Sequence, residues 1–235
     1  MKGPWRATGH SYFRAQVTKV GIAAIFLDGG YVEKVVRFDH HEAQIDFHRL
    51  VTVMAGSDEL LRAYYYHCLP YQGNPPTEEE RRRYAARHSF TTALSYLPRF
   101  EVRLGRLAYR GRNAEGEPIF QQKRVDCMIG VDMALLAGRG KITNAVIFSG
   151  DSDIIPALEA VRREGVLVTL WHGSFSRDSR PSRELVEIAD ERRQLTSDIV
   201  QTILRPPSQT RVAPRRTGEW PSCISAHGRV NQLLA

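Results

Sequence analysis

Two kinds of hydrophobic pattern divide the chain. Continuous apolar runs occupy Gly21 to Leu27, Asn144 to Ser149 and Val166 to Trp171. Unbroken runs of this length suit strands buried on both faces of a parallel sheet, and Asp28-Gly29-Gly30 after the first suits a turn that needs glycine. Leu60 to Leu69, carrying Tyr64, Tyr65 and Tyr66, reads as another strand. Phe100 to Arg110 alternates instead, with Phe100, Val102 and Leu104 on one side and Glu101 and Arg103 on the other. Gly105 is where a bulge is expected, Asn113 to Gly116 a turn, and Pro118 to Val125 the returning arm of a hairpin. Helical spacing covers His41 to Met54. It resumes from a Thr77/Glu80 capping box to Leu97, where Pro98 stops it. Asp126 to Ala137 is a helix apolar almost all round, and Ser152 to Glu164 a helix capped by Gly165. Ser182 to Leu195 and Ser197 to Leu204 complete the set. Strand and helix alternate throughout, which predicts an α/β fold with a parallel sheet.

Outside this body the periodicity fails. Residues 1–20 are expected to be a loose basic segment. Four of the 12 prolines fall within 205–235, so this Pro/Arg-rich stretch is expected to be disordered. The single domain therefore spans 21–204. Hydrophobic residues make up 42% and charged residues 25% of the 235 residues. Those ordinary values exclude collagen-like, coiled-coil and wholly disordered chains. No apolar run approaches the roughly 20 residues of a membrane-spanning helix, and no secretory signal is visible. The three cysteines, Cys68, Cys127 and Cys223, are widely separated, which argues against a zinc knuckle or a disulfide framework. A soluble, cytoplasmic protein with no membrane partner is expected; a homo-oligomer stays open.

Charge sharpens the picture. The net charge is +7, concentrated at Lys2, Arg6, Arg14 and Lys19 before the body and at five arginines after it. Within the nearly neutral body, residues 81–112 hold nine arginines and one acid, Glu101. An anionic polymer is the natural partner. A bulge at Gly105 would bring Arg103, Arg106 and Arg110 onto one outer face, while Arg81 and Arg82 open the preceding helix. These five are the candidate RNA contacts. The plainer reading is a solvated edge hairpin whose charge prevents edge-to-edge pairing. Tyr64 to Tyr66 and Tyr109 suit base stacking or core packing equally well.

Acids stand where an α/β sheet binds ligands, beyond the carboxyl ends of its strands. Asp28 follows the first apolar run, and Asp151 and Asp153 follow Val146 to Phe148. Asp126 opens the apolar helix and Asp132 interrupts it. An aspartate at a helix start is often only a cap. Asp132 is harder to dismiss, since a carboxylate among apolar neighbours needs a partner. Asp126 and Asp132 lie about 9 Å apart along the axis and roughly 120° apart around it, so they need not share an ion. Converging carboxylates repel, and a divalent cation relieves that; hard oxygen donors favour Mg²⁺ or Mn²⁺. Such a site suits phosphodiester hydrolysis.

Three blocks carry a resemblance: Ile25-Phe-Leu-Asp-Gly-Gly-Tyr31, Lys123-Arg-Val-Asp-Cys-Met-Ile-Gly-Val-Asp132 and Phe148-Ser-Gly-Asp-Ser-Asp-Ile-Ile-Pro156. Together they resemble the NYN domain family, in its LabA-like branch of the PIN-like nucleases, over about residues 21–172. The resemblance implies a PIN-like three-layer α/β/α sandwich, here with an inserted helix and hairpin at about 40–120. It also implies metal-dependent RNA cleavage. Asp28, Asp126 and Asp151 match the catalytic and metal-binding acids, with Asp132 and Asp153 completing the ligand set. Two positions depart from the common pattern: Tyr31 stands where many members have Asn, and Arg124 where many have Gly. The alternatives are an RNA-binding or regulatory module without turnover, and a Mg²⁺-dependent phosphohydrolase of small phosphates.

Overall fold

In the computed structural model, which describes residues 20–206 except 114, 115 and 117, one sheet organises the chain. The expected loose segment at 1–20 and the tail from 205 lie outside the described residues but for Val20, Arg205 and Pro206. The strands are β1 (Ile22–Asp28), β2 (Glu59–Cys68), β3 (Phe100–Arg112), β4 (Pro118–Lys123), β5 (Asn144–Phe148), β6 (Leu167–His172) and β7 (Glu191–Gln194). They pair in the order β4-β3-β2-β1-β5-β6-β7. All neighbours are parallel except β3 and β4. The helices are α1 (Gly29–Asp39), α2 (Phe47–Ala55), α3 (Glu78–Ser95), α4 (Val125–Gly138), α5 (Ile155–Arg163), α6 (Arg183–Ile188) and α7 (Ser197–Ile203).

Side-chain alternation in β1 sorts them into two layers. Ala23, Ile25 and Leu27 point into a core shared with Val32 and Val35 of α1, Leu50 and Met54 of α2, Leu94 of α3 and Ile203 of α7. Ala24 and Phe26 point the other way, against Ile129 and Met133 of α4, Leu158 of α5 and Leu185 of α6. The result is the three-layer sandwich with a mostly parallel sheet. Both faces of β1 are covered, which is why its apolar run is unbroken. Among the described residues no helix is long and apolar enough to cross a membrane.

Several local expectations change. Gly29-Gly30 is not a free turn: Asp28 caps α1, whose buried face is Tyr31, Val32 and Val35. Ser182 to Leu195 is not one helix. After Ile188 the backbone extends at Ala189, and Asp190 joins the sheet edge: its N–H donates to the Val168 carbonyl, and its carboxylate accepts from the Val168 N–H. That pairing outweighs the helical spacing and makes Glu191–Gln194 a strand.

The Thr77/Glu80 capping box opens α3 as expected. No bulge occurs at Gly105. β3 runs in regular register from Phe100 to Tyr109, and the irregularity lies between Tyr109 and Arg112. Gly105 marks the handover from β2 to β4. A Cβ there would stand 2.6 Å from the Lys123 carbonyl oxygen and 3.1 Å from Cys68 Sγ. Beyond it, β3 and β4 project past the carboxyl edge of the sheet as a two-stranded wall.

Candidate active site

Two strand ends and one helix start meet that wall. Asp28 is the last residue of β1, Asp126 lies in the first turn of α4, and Asp151 follows β5 through Ser149 and Gly150. Together with Asp153 they line one cleft of about 580 Å³, whose hairpin side is Gln121 and Gln122 of β4. Asp28 Oδ1 accepts both the Gly30 N–H at 3.0 Å and the Tyr31 N–H at 3.2 Å. Asp28 Oδ2 has no hydrogen bond among the described residues. Asp151 Oδ1 likewise accepts the Asp153 N–H at 3.1 Å and caps a 3-10 turn over Ser152–Ile154.

The electrostatics of these acids are coupled. Burial pushes the Asp28 carboxyl up to about 6, and the charge on Asp126 adds to this, against the two capping N–H groups. Burial also raises Asp126, followed by the charges on Asp151 and Asp153. Like charges in one cleft disfavour full ionisation. Two cations share the lining: Lys34 on α1 and Arg180 on the loop after β6.

The glycines make room for this packing. A Cβ on Gly29 would lie 2.5 Å from Tyr65 Cζ, and one on Gly150 would lie 2.3 Å from the Tyr31 ring. Tyr31 therefore rests on the turn that delivers Asp151. Its hydroxyl donates to the Ser179 carbonyl at 2.8 Å and accepts the Gly173 N–H at 3.2 Å. The same loop is held at Asp39, which accepts from the hydroxyls of Ser174, Ser176 and Ser179. So Tyr31, the first departure from the resembled pattern, ties the Arg180 loop to the acidic turn. At the other departure, Arg124 sits at φ 77°, in the left-handed region. A glycine would adopt this conformation without the steric cost that a side chain brings.

Asp132 is not brought into the cleft. It accepts a hydrogen bond from Tyr66 at 2.9 Å and stands 3.3 Å from Arg103 Nε. These two partners satisfy a carboxylate on an apolar helix, and its displacement around that helix from Asp126 agrees with the helical repeat. The five candidate RNA contacts do not form one row either. With no bulge between them, Arg103 and Arg106 lie on opposite faces of β3. Arg103 is engaged by Glu101 and Asp132 and lies over the Tyr64 ring. Arg106 and Lys123 are direct cross-strand partners, and Arg110, two residues on from Ala108, donates to Gln121. Arg81 pairs with Glu78. Arg82 and Arg106 have no acidic partner among the described residues.

The spacing did not reveal how many acids, some distant and some on the same helix, pair with this arginine segment. Arg99 pairs with Glu59, Arg83 with Glu79, and Arg87 grips Glu33 through both terminal nitrogens. Glu33 also accepts from Tyr65 and pairs with His67 beside Gly29. Burial would raise Glu33, but His67 and Arg87 outweigh it and hold the carboxyl at about 2. It also missed Lys34 and Arg180. With α1 read as a turn, nothing in the spacing aimed Lys34 at Asp28.

Among the described residues, no group of three His, Cys, Asp or Glu side chains is arranged to hold a metal ion directly. The donor set nonetheless fits Mg²⁺ or Mn²⁺: it is all carboxylate oxygen, its charges repel, and Mg²⁺ binds through one or two carboxylates while keeping several waters.

The sequence model of the NYN domain family matches residues 22–195. No curated protein matches the chain. A crystal structure of a protein of unknown function from Vibrio parahaemolyticus is similar at a TM-score of 0.52 and 21% identity, over 81% of this chain and 99% of that one. That likeness concerns the fold alone. The CheB methylesterase catalytic domain of Thermotoga maritima covers 79% of this chain and 100% of its own, at 15% identity and a TM-score of 0.36. So low a score carries no argument about this chain.

Proposed function

Because the chain belongs to the NYN domain family, we propose that it is a PIN-like nuclease that hydrolyses RNA phosphodiester bonds at the acidic cleft with Mg²⁺ or Mn²⁺ bound. One observation carries the reading: the ends of β1 and β5 and the start of α4 deliver Asp28, Asp126, Asp151 and Asp153 to one cleft, where burial and mutual charge raise two of them. Asp28, Asp126 and Asp151 would hold the ion, with Asp153 beside them. The bound ion supplies an activated water and stabilises the leaving oxygen. Asp28 Oδ1 is occupied by the α1 cap, which fixes the carboxylate and leaves Oδ2 for the ligand. Lys34 and Arg180 offset the negative charge that an incoming phosphodiester adds to a cleft of acids. Gln121 and Gln122 close one side with neutral donors and acceptors.

A second reading has its own observation in favour. Among the described residues no three donor side chains converge on one point, as suits a module that binds RNA without cutting it. Incubation with end-labelled single-stranded and structured RNA, in Mg²⁺, Mn²⁺ or EDTA, separates the two. The nuclease reading expects cleavage with either ion and none in EDTA. Binding without cleavage in all three conditions would select the second reading. Hydrolysis of a small phosphate monoester in preference to RNA would overturn both.

A further inference from the structure

The hairpin wall carries a feature for which the acidic cleft has no use. Tyr109 of β3 and Phe120 of β4 are direct cross-strand partners, their ring centroids 5.9 Å apart. Tyr71, just beyond β2, lies against both, at 6.2 Å from Tyr109 with planes 30° apart and at 5.1 Å from Phe120. The three rings are 39%, 49% and 36% exposed for Tyr71, Tyr109 and Phe120. Single exposed apolar residues need no explanation, but a contiguous cluster marks a binding surface.

Position and charge define the occupant. Gln122 lies two residues beyond Phe120 on the same face of β4, about 7 Å at the rise of a strand, and it lines the cleft. The opposite face presents Arg106 directly across from Lys123, with Arg110 farther along. All three are exposed. Like charges placed directly across a strand pair are destabilising unless an anion lies between them. β4 is the edge of the sheet. A polymer running along that edge therefore meets aromatic rings on one side and cations on the other. In a duplex the faces of the bases are covered by their neighbours; in a single strand they are free to stack on such rings.

We propose that Tyr71, Tyr109 and Phe120 form a base-stacking subsite that feeds single-stranded nucleic acid along β4 into the acidic cleft. This rests on the nuclease reading for its direction but not for its binding chemistry. The test is fluorescence anisotropy in EDTA, so that nothing is cut, using the full chain. The probes are a short single-stranded RNA, the same sequence as a duplex, and a strand of equal length with abasic sites. Wild type should prefer the base-bearing single strand over both others. Tyr109→Leu with Phe120→Leu keeps apolar bulk but removes the rings. It should lose affinity on the order of tenfold per ring and lose the preference for bases, with an unchanged Tm. Tyr109→Phe keeps a ring and should retain binding.

Unchanged binding by the double variant, or an equal loss on the abasic strand, overturns the proposal. So does a self-association of wild type, seen by sedimentation, that the variant abolishes; the patch would then join two copies of the chain. Cleavage is read separately. RNA cut by wild type alongside unaltered variant binding sinks the stacking subsite alone. Base-dependent binding without any cleavage sinks the nuclease reading alone.

Discussion

At Asp28 two demands meet in one carboxylate: it caps α1, and it stands half-buried in a cleft with Asp126, Asp151 and Asp153. A carboxyl raised to about 6 in the folded chain holds its proton more tightly there than unfolded. The stability it contributes is present below the ordinary value of 3.8 and is lost as pH rises through about 6. Glu33 works in the opposite sense. Held at about 2, its contribution is present above 4.5 and lost as pH falls towards 2. The two windows overlap only between 3.8 and 4.5. Asp28→Asn keeps a good capping oxygen and removes the repulsion. Without metal it should raise Tm at pH 7 by about 2–4 °C, corresponding to about 1 kcal/mol after allowance for solvent screening. It should also flatten the decline in Tm between pH 4.5 and 7. Differential scanning fluorimetry across that range checks this, and an unchanged or lower Tm at pH 7 would contradict it. Asp28, Asp126, Asp151 and Asp153 were legible in the sequence because they follow or flank apolar runs. Asp132 looked equal to them. Only the packing of α4 against β2 and β3 reveals that Tyr66 and Arg103 occupy it.

Among the elements, the β3–β4 hairpin depends on Gly105, where β3 leaves β2 for β4. A methyl group there meets backbone, the Lys123 carbonyl oxygen at 2.6 Å, and backbone cannot swing aside as a side chain can. Gly105→Ala should cost about 1–3 kcal/mol. It should also reduce RNA cleavage by displacing Gln121 and Gln122 from the cleft. Chemical denaturation together with a cleavage assay tests both, and a variant as stable and as active as wild type would refute the role given to this glycine. Elements whose cause is local were readable from sequence: the capping box of α3, and the buried strands β1, β5 and β6. Elements whose cause is tertiary were not. α1 starts on two glycines and gains its helix from the Asp28 cap and from burial of Tyr31, Val32 and Val35. β7 is a run of Glu191, Arg192, Arg193 and Gln194 that the edge of β6 recruits against its helical spacing.

For the whole molecule, a net charge of +7 says less than which cations are free. Acids from α1, β2 and the start of α3 neutralise much of the arginine-rich segment, leaving Arg106, Lys123 and Arg110 on one face of the hairpin. Arg106→Gln with Arg110→Gln should lower the slope of log affinity against log salt by about 1.4, near 0.7 per lost contact on a single strand. Arg103→Gln should leave that slope alone and lower Tm instead, because Asp132 then loses its charged partner. The opposite pattern in a salt titration would put the RNA path on the Arg103 face. The nuclease proposal makes the acidic cleft the seat of a metal-dependent reaction. Its most direct test is single-turnover RNA cleavage by wild type and Asp126→Asn in saturating Mn²⁺, with folding checked by circular dichroism. Cleavage by the variant should fall at least about a hundredfold, as expected when a group stabilising the transition state is removed. Cleavage by folded Asp126→Asn at the wild-type rate would contradict it.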